Sequence, residues 1–157
     1  MLLTAFLIAT APAAVGHPQL APTSVSDVVA AAVNCFDAVA TKNVEVSRLT
    51  GAGWAEVVDS SGKPESAGGH LFRRPGLSAE IAVVGPVCSL VAPIQSSDDV
   101  QATLLKLDDA IHPDRMQEVS EGIVLTKGNR SMLFWVGNPT VGTPAAVRID
   151  ARNLEAK

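Results

Sequence analysis

The sequence predicts an α+β domain: an antiparallel sheet of about seven strands with two helices packed on one face, in the order α-β4-α-β3. Three observations carry that prediction. Two stretches set apolar residues at helical spacing, one near residue 30 and one near residue 105. Between them, Gly85-Pro86 interrupts two apolar runs in the manner of a tight hairpin. The last third of the chain returns to short strand-like runs separated by turn residues.

The first helix is "SVSDVVAAAVNCFDAVAT", with Val25, Val28, Val29, Ala32, Val33, Phe36 and Val39 on one stripe. Ser24 or Ser26 can cap it, and Asp27 suits the positive end of the helix dipole. Cys35 falls in register with Val28, Ala32 and Val39, on the edge of that stripe.

Four short strands follow. "WAEVV" begins at Trp54, after a bend at Gly51 and Gly53, and leads into the polar loop "DSSGKPESAGG". "HLFRRPG" is stopped by Pro75 and Gly76. "LSAEIAVVGPVCSLVAPI" holds the third and fourth strands. A two-residue turn at Gly85-Pro86 sets Val84 opposite Val87, Val83 opposite Cys88 and Ile81 opposite Leu90. Ile81, Val83, Cys88 and Leu90 then share one face, with Glu80 and Ser89 on the other.

The second helix, "SSDDVQATLLKLDDAI", is capped by Ser96 or Ser97 and carries Asp98 and Asp99 in its first turn. Its stripe is Val100, Leu104, Leu107 and Ile111, with Thr103 at the edge and Leu105 outside. Pro113 ends it, and His112 sits at the C-terminal end of the dipole. "GIVLT" and "SMLFWV" flank a "KGNR" turn, and "AAVRIDA" closes the fold with Val147 and Ile149 inward and Arg148 and Asp150 outward. No repeat is visible in the residues. Asn129 opens an N-R-S sequon in the turn.

The chain's two cysteines, Cys35 and Cys88, lie one on the helix stripe and one on the apolar hairpin face. A helix covering that face brings them together as one disulfide; the alternative is two buried free thiols. Neither has a Cys or His at metal-ligand spacing, so no metal is expected. The oxidised reading agrees with the start of the chain. Leu2–Ala11 has the length of a signal-peptide core and is too short for a membrane span of roughly 20 residues. Small-residue cleavage sites follow, giving a mature start at Ala14 or at His17. We take 1–16 as signal peptide and 17–157 as one domain, with a periplasmic or secreted address and no lipid anchor.

Chemistry is sparse. No G-x-S-x-G, S-x-x-K or Cys–His arrangement is present, and no cofactor motif. The Asp98–Asp99 and Asp108–Asp109 pairs fall at helix ends, where solvated charge accounts for them. Of His17, His70 and His112, only His70 is a site candidate. Arg73 and Arg74, beside His70 and Phe72, are candidates for an anion, although strand alternation lets at most one of the two join a given site. Trp54 and Trp135 are interface candidates, with core packing the expected role of at least one. A formal net charge of −4 argues against a general nucleic-acid binder.

Taken together, the leader, "NCFDAV", "AGW", "CSLVAPI" and the closing "PAAVRI" resemble small exported proteins of Gram-negative, alphaproteobacterial type. The resemblance covers most of the chain after the leader. It implies a periplasmic address and no particular activity. The expected function is a non-enzymatic exported domain that binds a protein partner or small ligand. The alternative is a small periplasmic hydrolase with His70 in its site, beside a serine or carboxylate supplied by folding.

Overall fold

The computed structural model describes residues 21–64, 68–137 and 145–156. The leader, both cleavage sites and the start of a domain at residue 17 lie outside them. In chain order the elements are α1 (Val25–Ala38), α2 (Val46–Gly51), β1 (Ala55–Glu56), β2 (His70–Arg73), β3 (Glu80–Val84), β4 (Val87–Pro93), α3 (Ser97–Ile111), β5 (Arg115–Val119), β6 (Gly122–Lys127), β7 (Arg130–Gly137) and β8 (Ala146–Asn153). The strands form one antiparallel sheet in the order β1-β2-β3-β4-β8-β7-β6-β5. The class is the α+β class expected, with one strand and one short helix more. The additions are β5 and α2; β1 is only two residues long.

The strand order exposes a repeat that the residues conceal. Each half of the chain is a helix followed by a four-stranded meander, α1 with β1–β4 and α3 with β5–β8. The halves join through their last strands, β4 against β8, over seven paired positions from Val87↔Arg152 to Pro93↔Ala146.

α1 begins at Ser24, whose side chain accepts the Asp27 N–H. It buries Val28, Ala31, Ala32, Cys35, Phe36 and Ala38, so Cys35 is at the centre of the covered face and not at its edge. α3 begins at Ser96 and buries Thr103, Leu107 and Ile111, leaving Leu105 68% exposed. His112 is its C-cap, in the left-handed region at φ 48°. The β3–β4 hairpin has the register expected, residue for residue, and Gly85 sits at φ +56°, where a side chain would strain the turn.

Both helices lie on the face carrying Ile81, Cys88, Leu90, Ile149, Ala151, Met132, Phe134 and Leu125, all buried. Two links fix that side. Cys35 and Cys88 are disulfide-bonded with Cα atoms 5.5 Å apart, which ties α1 to β4. The β6–β7 turn holds both helix ends. Lys127 Nζ donates to the Ile111 carbonyl of α3 at 2.5 Å, and Arg130 donates to the Phe36 carbonyl of α1 at 3.1 Å. Neither helix has a basic residue in its own last turn, so the cross-strand pair Lys127 and Arg130 supplies the cation each C-terminus favours. Asn153 Nδ2 donates to the Ala40 carbonyl at 3.2 Å and completes the end of α1. No described helix is long and apolar enough to cross a membrane.

Candidate functional site

The two faces of the sheet differ in kind. The covered face is the core. No described element lies over the opposite face, whose residues follow from the pairing register. One row across the strands reads Arg73, Glu80, Val91, Arg148, Trp135. The next reads Leu71, Ala82, Ser89, Asp150, Leu133, Val124, Gln117. A third reads Val84, Val87, Arg152, Ser131, Thr126, Arg115.

This face mixes apolar and charged groups. Val84 is 55% exposed, Val91 46% and Trp135 42%. Arg148 Nε lies 3.0 Å from the Asp150 carboxylate on the same strand, and Arg73 Nε lies 2.7 Å from Glu80 on the next. A concavity of about 470 Å3 crosses β8, β7 and β6, floored by Leu133, Val124 and Ser131 and rimmed by Arg148, Arg152 and Glu121. Its volume is within the range of ligand sites. The Ser120 hydroxyl donates to the Glu121 carboxylate at 2.6 Å and holds it below the usual carboxylate range. Glu121 therefore stays charged at the rim.

A second concavity, about 660 Å3, lies at the other end of the sheet beside His70, Val83, Gly69, Lys63 and Asn43. His70 Nδ1 is 2.5 Å from Glu56 Oε1, a contact made because Glu56 on β1 and His70 on β2 fall on the same side of neighbouring strands. The imidazole also stacks near Phe72, with ring centroids 6.4 Å apart. Glu56 orients the ring and leaves Nε2 outward, the arrangement a general base requires. The described residues lining this concavity include no serine or cysteine that could act as nucleophile.

The structure separates the residues that the sequence singles out. Trp135 and Arg73 lie on the uncovered face. His70 and Phe72 point to the other side of β2, so Arg73 and His70 form no common anion site; strand alternation forbids it. Arg74 follows β2 and packs towards the bend at Gly53. Trp54 is 2% exposed and belongs to the core, with no acceptor for its indole N–H among the described residues. Cys35 and Cys88 are structural, both wholly buried. Among the described residues no three His, Cys, Asp or Glu side chains gather at metal-binding distance.

Sequence reasoning passed over Arg152, Ser131, Leu133, Thr126 and Arg115. Alternation along β8 already turned Arg148 and Asp150 outward, and it turns Arg152 outward as well. The rest need the strand order, which no local pattern holds.

No family model, no curated protein and no solved structure matches this chain.

Proposed function

We propose that this is a non-enzymatic domain of the periplasm or the secreted fraction, made with a cleaved leader, that binds a protein partner or small ligand on its uncovered sheet face. The observation that carries the reading is that face: Trp135 and Val91 stand exposed on the strands either side of Arg148, which with Arg152 and Glu121 edges the concavity. Large amphipathic side chains beside arginine are the groups that dominate binding surfaces. The buried disulfide and the apolar segment Leu2–Ala11 support an exported address, as does the resemblance to small exported proteins.

The hydrolase alternative keeps one supporting observation, the Glu56–His70 pair at 2.5 Å. Among the described residues that line the concavity beside it none is a nucleophile, so the binding reading is preferred.

The test has two parts. Intact mass of the exported protein is expected to start near Ala14 or His17; a chain that keeps Met1 and stays in the cytosol overturns the address. For binding, the oxidised protein is cross-linked in periplasmic extract and compared with Leu133→Glu. Leu133 is on the uncovered face, so the variant should retain the helix signal and the disulfide while losing its captured partner. Equal capture by both proteins overturns the role of this face.

A further inference from the structure

The uncovered face carries a charge opposite to that of the chain. Its strand positions hold four arginines, Arg73, Arg115, Arg148 and Arg152, against two carboxylates, Glu80 and Asp150, a balance of +2. With Glu121 at the rim of the concavity the balance is +1 in a chain whose formal net charge is −4, so everything outside this face carries −5. Glu80 and Asp150 are each engaged by an arginine, Arg73 and Arg148. Arg115 and Arg152 form no ion pair among the described residues.

These two arginines stand in one row. The register runs Arg152↔Ser131, Ser131↔Thr126, Thr126↔Arg115, across β8, β7, β6 and β5. Three strand steps place the arginines about 14 Å apart, with two hydroxyls between them. In an extended chain, side chains at i and i+4 point the same way and are also about 14 Å apart. The adjoining row is apolar at Leu133 and Val124, with Trp135 beyond.

We propose that the partner of this face is an acidic protein segment in extended conformation, laid across β8 to β5, with two carboxylates four residues apart on Arg152 and Arg115 and a small polar side chain over Ser131 and Thr126. This rests on the binding reading above and names the partner. Each carboxylate meets an arginine able to donate two parallel hydrogen bonds. An extended protein segment presents carboxylates at i and i+4 and a small side chain at i+2 on one side, the spacing and order of this row.

The probe is the acetylated, amidated peptide Glu-Val-Ser-Val-Glu, against its Gln-Val-Ser-Val-Gln counterpart and against dextran sulfate. Binding is read by the emission of Trp135, the exposed member of the chain's two tryptophans, with Trp135→Phe as the blank. The Glu peptide should bind at least tenfold tighter than the Gln peptide. Arg115→Gln and Arg152→Gln should each weaken it about tenfold. Salt should weaken it further. Arg48→Gln, on α2 and paired with Glu45, should leave it unchanged. A Glu peptide that binds no better than the Gln peptide overturns the proposal, whatever dextran sulfate does, and so does indifference to both arginine variants. If partner capture survives Arg115→Gln/Arg152→Gln but is lost in Leu133→Glu, the face still binds and the acidic segment alone is wrong.

Discussion

Breaking the Cys35–Cys88 bond should be among the costlier single side-chain changes in this molecule. The bond joins residues 53 apart in sequence. Closing a loop of that length in the unfolded chain removes entropy equivalent to about 4 kcal/mol at 25 °C on the chain-entropy model, an upper figure because disulfides often deliver less. Cys35→Ser should therefore lose about 2–4 kcal/mol, on the order of 10 °C in midpoint for a domain of this size. The location sharpens the expectation. Cys88 is on β4, at the junction of the two halves, and Cys35 is central to α1. The bond thus fastens a helix to the strand on which both meanders depend. The assay is urea unfolding of the oxidised protein, the reduced protein and Cys35→Ala/Cys88→Ala. The last two should unfold at similar, lower urea. Both sulfurs are buried, so reduction of the native fold should be slow and should accelerate in mild denaturant. Coincident midpoints for all three forms, or free thiols at both positions in carefully isolated protein, would refute the reasoning.

Three smaller outcomes follow from individual contacts. The Thr23 hydroxyl is buried without a hydrogen-bond partner among the described residues, while its backbone N–H is held by the Pro93 carbonyl at 2.8 Å. Thr23→Val removes the orphan at constant shape and should raise stability by about 1 kcal/mol in urea melts; a loss would show that the hydroxyl is satisfied. Arg130→Met deletes the bond to the Phe36 carbonyl and the stacking of its guanidinium 4.3 Å over the Phe36 ring. It should cost about 1–2 kcal/mol, and Lys127→Met about 1 kcal/mol, both measurable as shifts in urea midpoint. In the β1–β2 loop, the Ser61 hydroxyl, with the Lys63 and Ser61 N–H groups, holds the Asp59 carboxyl below its usual range. A depressed folded value means its contribution is present above the unfolded pKa and is lost as pH falls through the folded one. Carboxyl NMR should show that low midpoint in the native protein and its return towards the ordinary value in Ser61→Ala.

Local rules were sufficient wherever the sequence pattern and the covered face coincide. The Gly85-Pro86 turn fixed its register because a two-residue hairpin admits one pairing. The α3 stripe was right for Leu107, Ile111 and the exposure of Leu105, whereas Thr103, expected at its edge, is fully buried and Val100 and Leu104 are only partly so. β5 escaped notice because none of its residues is buried, so "RMQEV" shows no alternation to detect. α2 is a six-residue helix that buries only Leu49, below the length at which a period can be seen. Ala31 and Ala38 are buried although they lie outside the stripe read from the sequence, which counted only Ala32 among the alanines. The candidate site was half legible. Alternation turned Arg148 and Asp150 outward, but the row from Arg152 to Arg115 exists only once β8, β7, β6 and β5 are adjacent, and with β5 unread Arg115 had no place in it.

The bare face is itself a consequence of the topology. Two equivalent units joined edge to edge through antiparallel last strands are related by a two-fold axis normal to the sheet. That operation maps each face of the sheet onto itself. If the helix of one unit covers a given face, the helix of the other must cover the same face. α1 and α3 do so: they pack on each other, and α1 lies over β4 and β8. Among the described residues, no element of the fold then meets the opposite face. An antiparallel sheet can leave one face to water if that face is polar. This one is polar in part: arginines and carboxylates occupy β8, while Val84, Val91 and Trp135 remain exposed among them. Solvation alone explains the charges. It does not explain a tryptophan set beside Arg148 on the next strand, or two arginines that form no ion pair among the described residues in a chain that carries more acids than bases. The fold supplies the surface, and its composition supplies the case that something binds there.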